Sequence, residues 1–251
     1  MIQLEHLTKR FGSFTAVNDL CLNVAEGEIF GFLGPNGAGK TTTIRMMMGL
    51  LKPTAGRVVL GGHDLAVAPL AAKALSAFIP DRPFVYEKVT GREFLDFVGG
   101  LYQVPVPTRR TRVEESLELF ALADWGDELV ENFSYGMKQR LVVAAALLHD
   151  PQILVVDEPM VGMDPIGARM LKSLLHSLSL KGKTVFMSTH SMEVAEELCD
   201  RIGIILGGQL IALGTLDELQ RHAGNEDRLE DIFLKLTAAP DMLEVIEALR
   251  A

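Results

Sequence analysis

The sequence predicts an α/β fold with a largely parallel sheet, and three observations carry this prediction. Strand-like runs alternate with helix-like segments between residues 153 and 213, which is the order of a doubly wound domain. Residues 153–156 form a continuous apolar run, which is typical of a strand buried on both faces of a parallel sheet. A glycine-rich segment at residues 34–41 lies between a strand-like run and a helix-like segment, where α/β sheets bind ligands.

The remaining elements follow from the same patterns in chain order. The first thirty residues alternate apolar and polar positions and predict β-structure, and residues 83–149 repeat apolar positions at helical spacing. Helices are expected over residues 41–51, 134–149, 168–178 and 193–198, and strands over residues 57–60, 184–188, 202–206 and 209–213. The last 25 residues are acidic with a helical period, and they predict a helical tail.

Composition excludes several classes of protein. The chain has 251 residues, of which 48% are apolar and 23% charged, so disorder and fibrous repeats are not expected. A net charge of −9 lacks the basic footprint of a nucleic-acid binder, so no nucleic-acid partner is expected. The sequence has no apolar run long enough to span a membrane and no signal-peptide pattern at its start.

The two cysteines and four of the six histidines have no ligand-like spacing in the sequence. Cys21 and Cys199 lie far apart, and we expect both to be buried as small apolar residues in a reducing compartment. His63, His149, His176 and His222 have no partners at metal-ligand spacing, and metal binding by these histidines is not expected.

The glycine-rich segment matches the phosphate-binding pattern GxxxxGK[ST], and we call residues 34–41 the phosphate loop. Glycines let the backbone turn its N–H groups inward, and the following helix adds a positive N-terminus. Lys40 is expected to neutralise the β- and γ-phosphates, and the Thr41 hydroxyl to ligate Mg²⁺. The residues assigned to the nucleotide here are Gly34, Pro35, Asn36, Gly37, Ala38, Gly39, Lys40, Thr41 and Thr42. A glycine-rich turn with a surface lysine is the alternative.

Two carboxylates, Asp157 and Glu158, end the apolar run of residues 153–156. Ligands bind at the carboxyl ends of strands in open α/β sheets, so Asp157 is expected to hold Mg²⁺. Glu158 is expected to orient or polarise the attacking water. The alternative is a strand end that charged residues cap for solubility.

Further segments accompany these motifs. Residues 133–140, Phe-Ser-Tyr-Gly-Met-Lys-Gln-Arg, open a predicted helix, and their Ser134 lies 23 residues before Asp157 (157 − 134). We call residues 133–140 the signature segment. A Val-Gly-Met-Asp run ends at Asp164, and His190 follows another apolar strand, 32 residues after Glu158 (190 − 158).

With these motifs in this order, residues 2–219 resemble the ATP-binding subunit of ABC transporters. The resemblance implies a P-loop NTPase core with a mixed, largely parallel sheet and flanking helices, an antiparallel β subdomain and a helical subdomain. It places the ATP-binding domain at residues 1–220, with the core at 1–80 and 150–220 and the helical subdomain at about 83–149. Residues 221–251 are then a C-terminal helical tail.

The resemblance also implies roles for residues of the later segments. Ser134 and Gly136 would bind the γ-phosphate held by an opposing subunit, although Tyr135 and Met137 depart from the commonest family form. Asp164 would tie a loop to the neighbouring subunit, and the alternative is a turn that Asp164 caps. His190 resembles the switch histidine that contacts the γ-phosphate, and the alternative is a structural histidine or a solvated strand cap.

Near the N-terminus, Phe11 resembles the aromatic residue that stacks on adenine, and Val17 would line the same face. The alternative for Phe11 is a core residue, as phenylalanine in a β-region usually is.

Asp81 stands where many family members have a glutamine that touches Mg²⁺. A carboxylate can still ligate the cation, and the alternative is an Asp in a turn before proline.

For function, the resemblance implies ATP and Mg²⁺ as cofactors and ATP hydrolysis coupled to transport, with a signature closer to exporters. Catalytic roles fall to Glu158, His190 and Lys40. The expected partners are a second ATP-binding subunit, as a homodimer, and an integral membrane transporter subunit, which would put the chain on the cytoplasmic face of the cell membrane. The alternatives are a soluble non-transport ABC ATPase, a regulatory ATP-binding module without turnover and a P-loop kinase.

Overall fold

A computed structural model of the chain describes residues 1–161, 163–222 and 229–237. Its strands are β1 (Ile2–Phe11), β2 (Phe14–Val24), β3 (Ile29–Leu33), β4 (Ala55–Leu60), β5 (His63–Asp64), β6 (Ser76–Ile79), β7 (Ile153–Asp157), β8 (Thr184–Thr189), β9 (Arg201–Leu206) and β10 (Gln209–Gly214). Its helices are α1 (Lys40–Met47), α2 (Pro69–Ala74), α3 (Gly91–Leu101), α4 (Val106–Leu119), α5 (Tyr135–Leu147), α6 (Pro165–Leu180), α7 (Met192–Leu198), α8 (Leu216–His222) and α9 (Leu229–Thr237). Within these ranges no helix is long and apolar enough to cross a membrane.

A six-stranded sheet forms the centre, in the order β10-β9-β3-β8-β7-β6. All its neighbouring pairs are parallel except β10 with β9, so the predicted largely parallel sheet is confirmed. Every residue of β3, β7 and β8 is buried, as the continuous apolar runs predict. The register pairs Leu33 with Thr189 and Asp157 with Ser188, which brings the carboxyl ends of these three strands to one edge.

A second sheet, β2-β1-β4-β5, is antiparallel and packs over one side of the first. Its inward residues share a core with α1 and with the aromatic rings of Phe30, Phe32 and Phe186. The ring centroids of Phe30 and Phe186 are 5.5 Å apart in a stacked arrangement. This core joins the phosphate loop region to the antiparallel sheet.

The helical part consists of α3, α4 and α5. Thr90 begins α3 with a capping box, because its side chain accepts from the Glu93 N–H while the Glu93 carboxylate accepts from the Thr90 N–H. The apolar faces of α4 and α5 pack together through buried residues such as Val113, Leu117 and Leu141. On α3, however, Phe97 and Leu101 are mainly exposed.

Several details differ from the sequence-based expectations. The edge strand β6 and the short helix α2 were not predicted. The four residues of β6 show no alternation of apolar and polar positions, and their place in the sheet comes from pairing with β7. Cys21 is exposed, so the prediction of burial is wrong for that residue, while Cys199 is largely enclosed. Of the predicted tail, α9 is helical, and residues 223–228 and 238–251 lie outside the described residues.

Candidate functional site

The phosphate loop connects the buried strand β3 to α1. Gly39 caps α1 at φ +111°, a conformation that only glycine adopts without strain. A Cβ on Gly39 would stand 2.6 Å from the Ala16 carbonyl oxygen, and one on Gly34 would stand 2.5 Å from the Ile205 carbonyl oxygen. The loop is therefore pressed against β2 on one side and β9 on the other. The first turn of α1 has no acidic residue, which leaves its N-terminus available to an anion.

Lys40 and Glu158 meet beside this loop. The Lys40 ammonium is buried and donates to the Gly34 carbonyl at 2.6 Å. It also forms an ion pair with Glu158 at 3.4 Å, where both side chains are mainly buried. The other carboxylate oxygen of Glu158 lies 2.7 Å from Nδ1 of the exposed His190, so one carboxylate bridges the lysine and the histidine.

The backbone of Glu158 is unusual. Its φ is +47°, the left-handed region that non-glycine residues occupy rarely and often at functional sites. The Glu158 N–H donates to the hydroxyl of Ser188 at 3.1 Å and to the Ser188 carbonyl at 3.2 Å. These bonds to the adjacent strand fix the position of the carboxylate.

Asp157 is buried next to Glu158, and it accepts hydrogen bonds from the hydroxyls of Ser188 and Thr41. Burial raises the pKa of Asp157, the negative charges of Asp81 and Glu158 raise it further, and the two hydroxyls oppose the rise. Asp81 itself is exposed and follows β6 at the same edge of the sheet. Thr41 and Asp157 are therefore in contact beside the phosphate loop, and the negative charge of Asp81 acts on Asp157 from the same edge of the sheet.

The signature segment begins α5, and its side chains serve that helix. Ser134 is the N-cap and accepts from the Met137 N–H at 3.3 Å. A Cβ on Gly136 would meet nothing within 4 Å, so the space in front of this helix end is open. The Tyr135 hydroxyl donates to the Asp81 carbonyl at 3.3 Å, which connects two of the positions where the sequence departs from the family pattern.

Asp164 caps its own helix in this structure. Its carboxylate accepts from the Gly167 N–H at 2.8 Å and otherwise faces solvent at the start of α6. This is the capped turn that the sequence analysis kept as an alternative. The role at a neighbouring subunit stays a prediction.

At the expected base-binding face, Phe11 is half exposed, with the Lys9 ammonium 5.1 Å from its ring centroid. Phe14, its partner across the β1–β2 turn, is also exposed and was not predicted. Val17 is fully buried against Gly39, so it supports the phosphate loop and is not on an exposed face.

The structure thus brings two groups of predicted residues together. The first group is Lys40, Glu158 and His190, and the second is Thr41, Asp157 and Asp81. The described contacts of Ser134 and Asp164 are confined to their own helices. Sequence reasoning missed Ser188, whose hydroxyl holds both acidic residues. The available signal was a small polar residue ending a buried strand next to the acidic one.

Comparisons with known proteins agree with this geometry. A family model described as ABC transporter matches residues 17–161. The daunorubicin resistance ATP-binding protein of Streptomyces coeruleorubidus is 39% identical over 229 residues, covering 91% of this chain and 72% of that protein. A probable multidrug ABC transporter ATP-binding protein of Escherichia coli is 38% identical over 240 residues, covering 94% of this chain. The chain spans 41% of that relative's length and 59% of the length of an uncharacterised Nostoc ABC transporter ATP-binding protein.

Solved structures give the same result. The structure of an ATP-binding subunit of an ABC transporter is 30% identical, with a TM-score of 0.89, covering 94% of this chain and 99% of that one. A dimeric ATP-binding cassette in a post-hydrolysis state with ADP and Pi is 26% identical, with a TM-score of 0.79, covering 86% of this chain and 99% of that one.

The fold and the phosphate loop define a nucleotide-binding P-loop ATPase, which confirms the predicted fold class. The chain belongs to the ABC transporter family, among its ATP-binding proteins.

Proposed function

We propose that this chain is the ATP-hydrolysing subunit of an ABC exporter, with residues 1–220 as its ATP-binding domain. The observation that carries the proposal is the Glu158 carboxylate held between Lys40 and His190 at the phosphate loop. This constellation has a cation for phosphate, a base for water and a histidine beside the base. A module that binds ATP without turnover has no need for the last two.

Mg²⁺ fits the residues beside the loop. Magnesium prefers hard oxygen ligands, and the Thr41 hydroxyl with the carboxylates of Asp157 and Asp81 supplies them. Burial and neighbouring negative charges raise the pKa of Asp157, and a bound cation would compensate both effects. When bound, Mg²⁺ would neutralise phosphate charge and orient the phosphate chain.

The residues around the phosphate loop have separate roles in this proposal. The loop amides and Lys40 hold the β- and γ-phosphates, and Phe11 offers a ring face to the base. Glu158 orients the attacking water and accepts its proton, because its oxygens point into the region next to Lys40. His190, whose Nδ1 lies 2.7 Å from a Glu158 oxygen, contacts the γ-phosphate and signals its presence.

The open helix end at Ser134 and Gly136 supports head-to-tail dimerisation. Its polar groups face solvent, and they make no described hydrogen bond to the phosphate loop of the same chain. A second copy turned by a twofold axis would bring this end, with Asp164, to the open side of the nucleotide. The dimeric state reported for one similar cassette is consistent with this arrangement.

The proposal that the transporter is an exporter is supported by the names of similar proteins, and its coupling to a membrane subunit by one exposed surface. Similar proteins are named for resistance to daunorubicin and linearmycin. Phe84 and Tyr86 are exposed next to α3, and they suit the docking of an apolar helix from a membrane subunit. The chain would then work at the cytoplasmic face of the membrane.

Glu158→Gln tests the proposal. We expect ATPase activity to fall by about 10²–10⁴-fold, the usual contribution of a general base, while ATP binding persists and a dimer accumulates in size-exclusion chromatography. The tagged variant, with ATP, should also recover a multi-span protein from solubilised host membranes. The matched control is Glu115→Gln on the exposed side of α4, which should behave as wild type.

Turnover and partner recovery test separate parts of the proposal. Wild-type turnover in Glu158→Gln would remove Glu158 from its role. Recovery of only soluble partners, with turnover lost as expected, would contradict the transporter and favour a non-transport ABC ATPase.

A further inference from the structure

Three side chains with different metal-binding atoms meet on the antiparallel sheet, away from the phosphate loop. His6 lies on β1, and Asp19 and Cys21 lie two residues apart on β2, so they share one face of that strand. Nδ1 of His6 is 2.8 Å from a carboxylate oxygen of Asp19 and 3.6 Å from Sγ of Cys21. All three ligand atoms lie within 4.8 Å of one another, and all three residues are exposed.

The local backbone produces this meeting. The register between β1 and β2 shifts between Leu4 and Leu7, so His6 sits in a bulge across from the two β2 residues. His6 has φ +49° and Asp19 has φ +52°, both in the left-handed region. The Asp19 N–H donates to the Thr8 hydroxyl at 3.0 Å, which holds the bend.

Two of the three separations are close to those at a tetrahedral metal ion. With Zn–N of about 2.0 Å and Zn–S of about 2.3 Å, a nitrogen and a sulfur 3.6 Å apart subtend an angle of about 110° at zinc. A tetrahedral nitrogen–oxygen pair is about 3.3 Å apart, so the Asp19 oxygen needs to move by roughly 0.5 Å. Nδ1 of His6 and the Asp19 carboxylate form a hydrogen bond, and a metal would take the place of its proton, which would pass through solvent to Nε2 of the ring.

We propose that His6, Asp19 and Cys21 form a binding site for a zinc-class divalent metal ion, with water in the fourth position. An imidazole, a carboxylate and a thiolate are the donors that zinc prefers, whereas magnesium selects oxygen ligands alone. On binding, the Cys21 thiol loses its proton to solvent and the metal–sulfur bond forms. The two anionic ligands then balance the charge of the ion.

Cobalt(II) tests this site because thiolate coordination gives a charge-transfer band in the near-ultraviolet. The chain has two cysteines: Cys21 is exposed, whereas Cys199 is largely enclosed and burial raises its pKa to about 12, so Cys21 is the accessible thiol. We expect the reduced, nucleotide-free full chain to bind one cobalt with this band, and added Zn²⁺ to remove it. Cys21→Ser should abolish the band, and Cys199→Ala, the matched control, should keep it.

His6→Gln and Asp19→Asn separate a three-ligand site from a thiol that binds metal alone. We expect each to weaken cobalt binding by about tenfold or more, with ATP binding and circular dichroism unchanged as checks of folding. Wild-type cobalt affinity in both variants would overturn the site. Absence of the band in the wild-type chain, or its persistence in Cys21→Ser, would overturn it as well.

Discussion

The phosphate-loop side and the signature side of the same chain differ in how much of their geometry is already built. Around the loop, Lys40 and Asp157 are buried, and their partners come from the phosphate loop, the end of β7 and β8. At the signature end, Ser134 and Asp164 are exposed, and each bonds only within its own helix start. One half of the site is preorganised by the core, whereas the other is a helix terminus that needs a ligand from outside to acquire a function.

The largest effect is expected on ATP affinity, when Lys40 is removed from the preorganised phosphate-loop side. Lys40→Ala removes the one lysine that the fold buries at the phosphate loop. A charge-assisted contact contributes about 1.5–3 kcal/mol, so ATP affinity should fall by roughly 10–100-fold. Isothermal titration calorimetry measures this directly.

Lys183→Ala is the matched control, because Lys183 is equally buried but pairs with Asp150 far from the loop. It should lose stability and keep its ATP affinity. Equal loss of ATP affinity in the two variants would mean that the effect comes from removing a buried lysine and not from the phosphate contact.

A smaller and more selective effect is expected on the signature side. Ser134→Ala should leave ATP binding to the monomer within about twofold, because the hydroxyl bonds only to the Met137 amide there. ATPase activity and ATP-driven dimerisation should fall about tenfold, as expected for a charge-assisted hydrogen bond lost across the interface.

Loss of the helix cap alone costs about 0.5–2 kcal/mol of stability, and Thr90→Ala removes the equivalent cap of α3. That control should unfold more easily and hydrolyse ATP normally. If monomer binding and ATPase activity fall together in Ser134→Ala, the comparison between the two halves fails.

The smallest effect concerns stability and pH. The pKa of Asp157 is raised in the folded chain, mainly by burial, so folding favours its protonated form and its contribution to stability falls as pH rises above the ordinary aspartate pKa. Asp157→Asn should therefore raise the Tm of the metal-free chain slightly at neutral pH.

Asp150→Asn gives the opposite sign. The hydrogen bond from Lys183 lowers the pKa of Asp150, so that carboxylate stabilises the fold above the ordinary aspartate pKa and loses this effect as pH falls. Thermal unfolding between acidic and neutral pH compares the two variants. A fall in Tm for both at neutral pH would contradict the assignment for Asp157.

The sequence predicted what lies in contiguous motifs. Residues 34–41 and the acidic end of β7 are continuous in the chain, and buried parallel strands leave apolar runs that are easy to read. The largely parallel sheet and the placement of Lys40 and Glu158 at one site could be expected from these runs. The additional strand β6 could not, because its place depends on pairing with β7, 77 residues later (153 − 76).

Contacts between segments far apart in the chain could not be predicted from the sequence either. Nothing in the spacing of His6 and Cys21 indicates that a β-bulge joins them, and an alternating strand leaves open which face is exposed. The Tyr135 hydroxyl reaches Asp81 across 54 residues. Each of these contacts is decided by tertiary packing.

The ion pair between Lys40 and Glu158 makes nucleotide entry an exchange of counterions. The Lys40 ammonium is neutralised by the Glu158 carboxylate, 3.4 Å away, so a triphosphate that binds Lys40 must displace one anion to bind as another. The carboxylate is released from Lys40 when phosphate takes its place. In the proposed mechanism the substrate thus frees the base that acts on it.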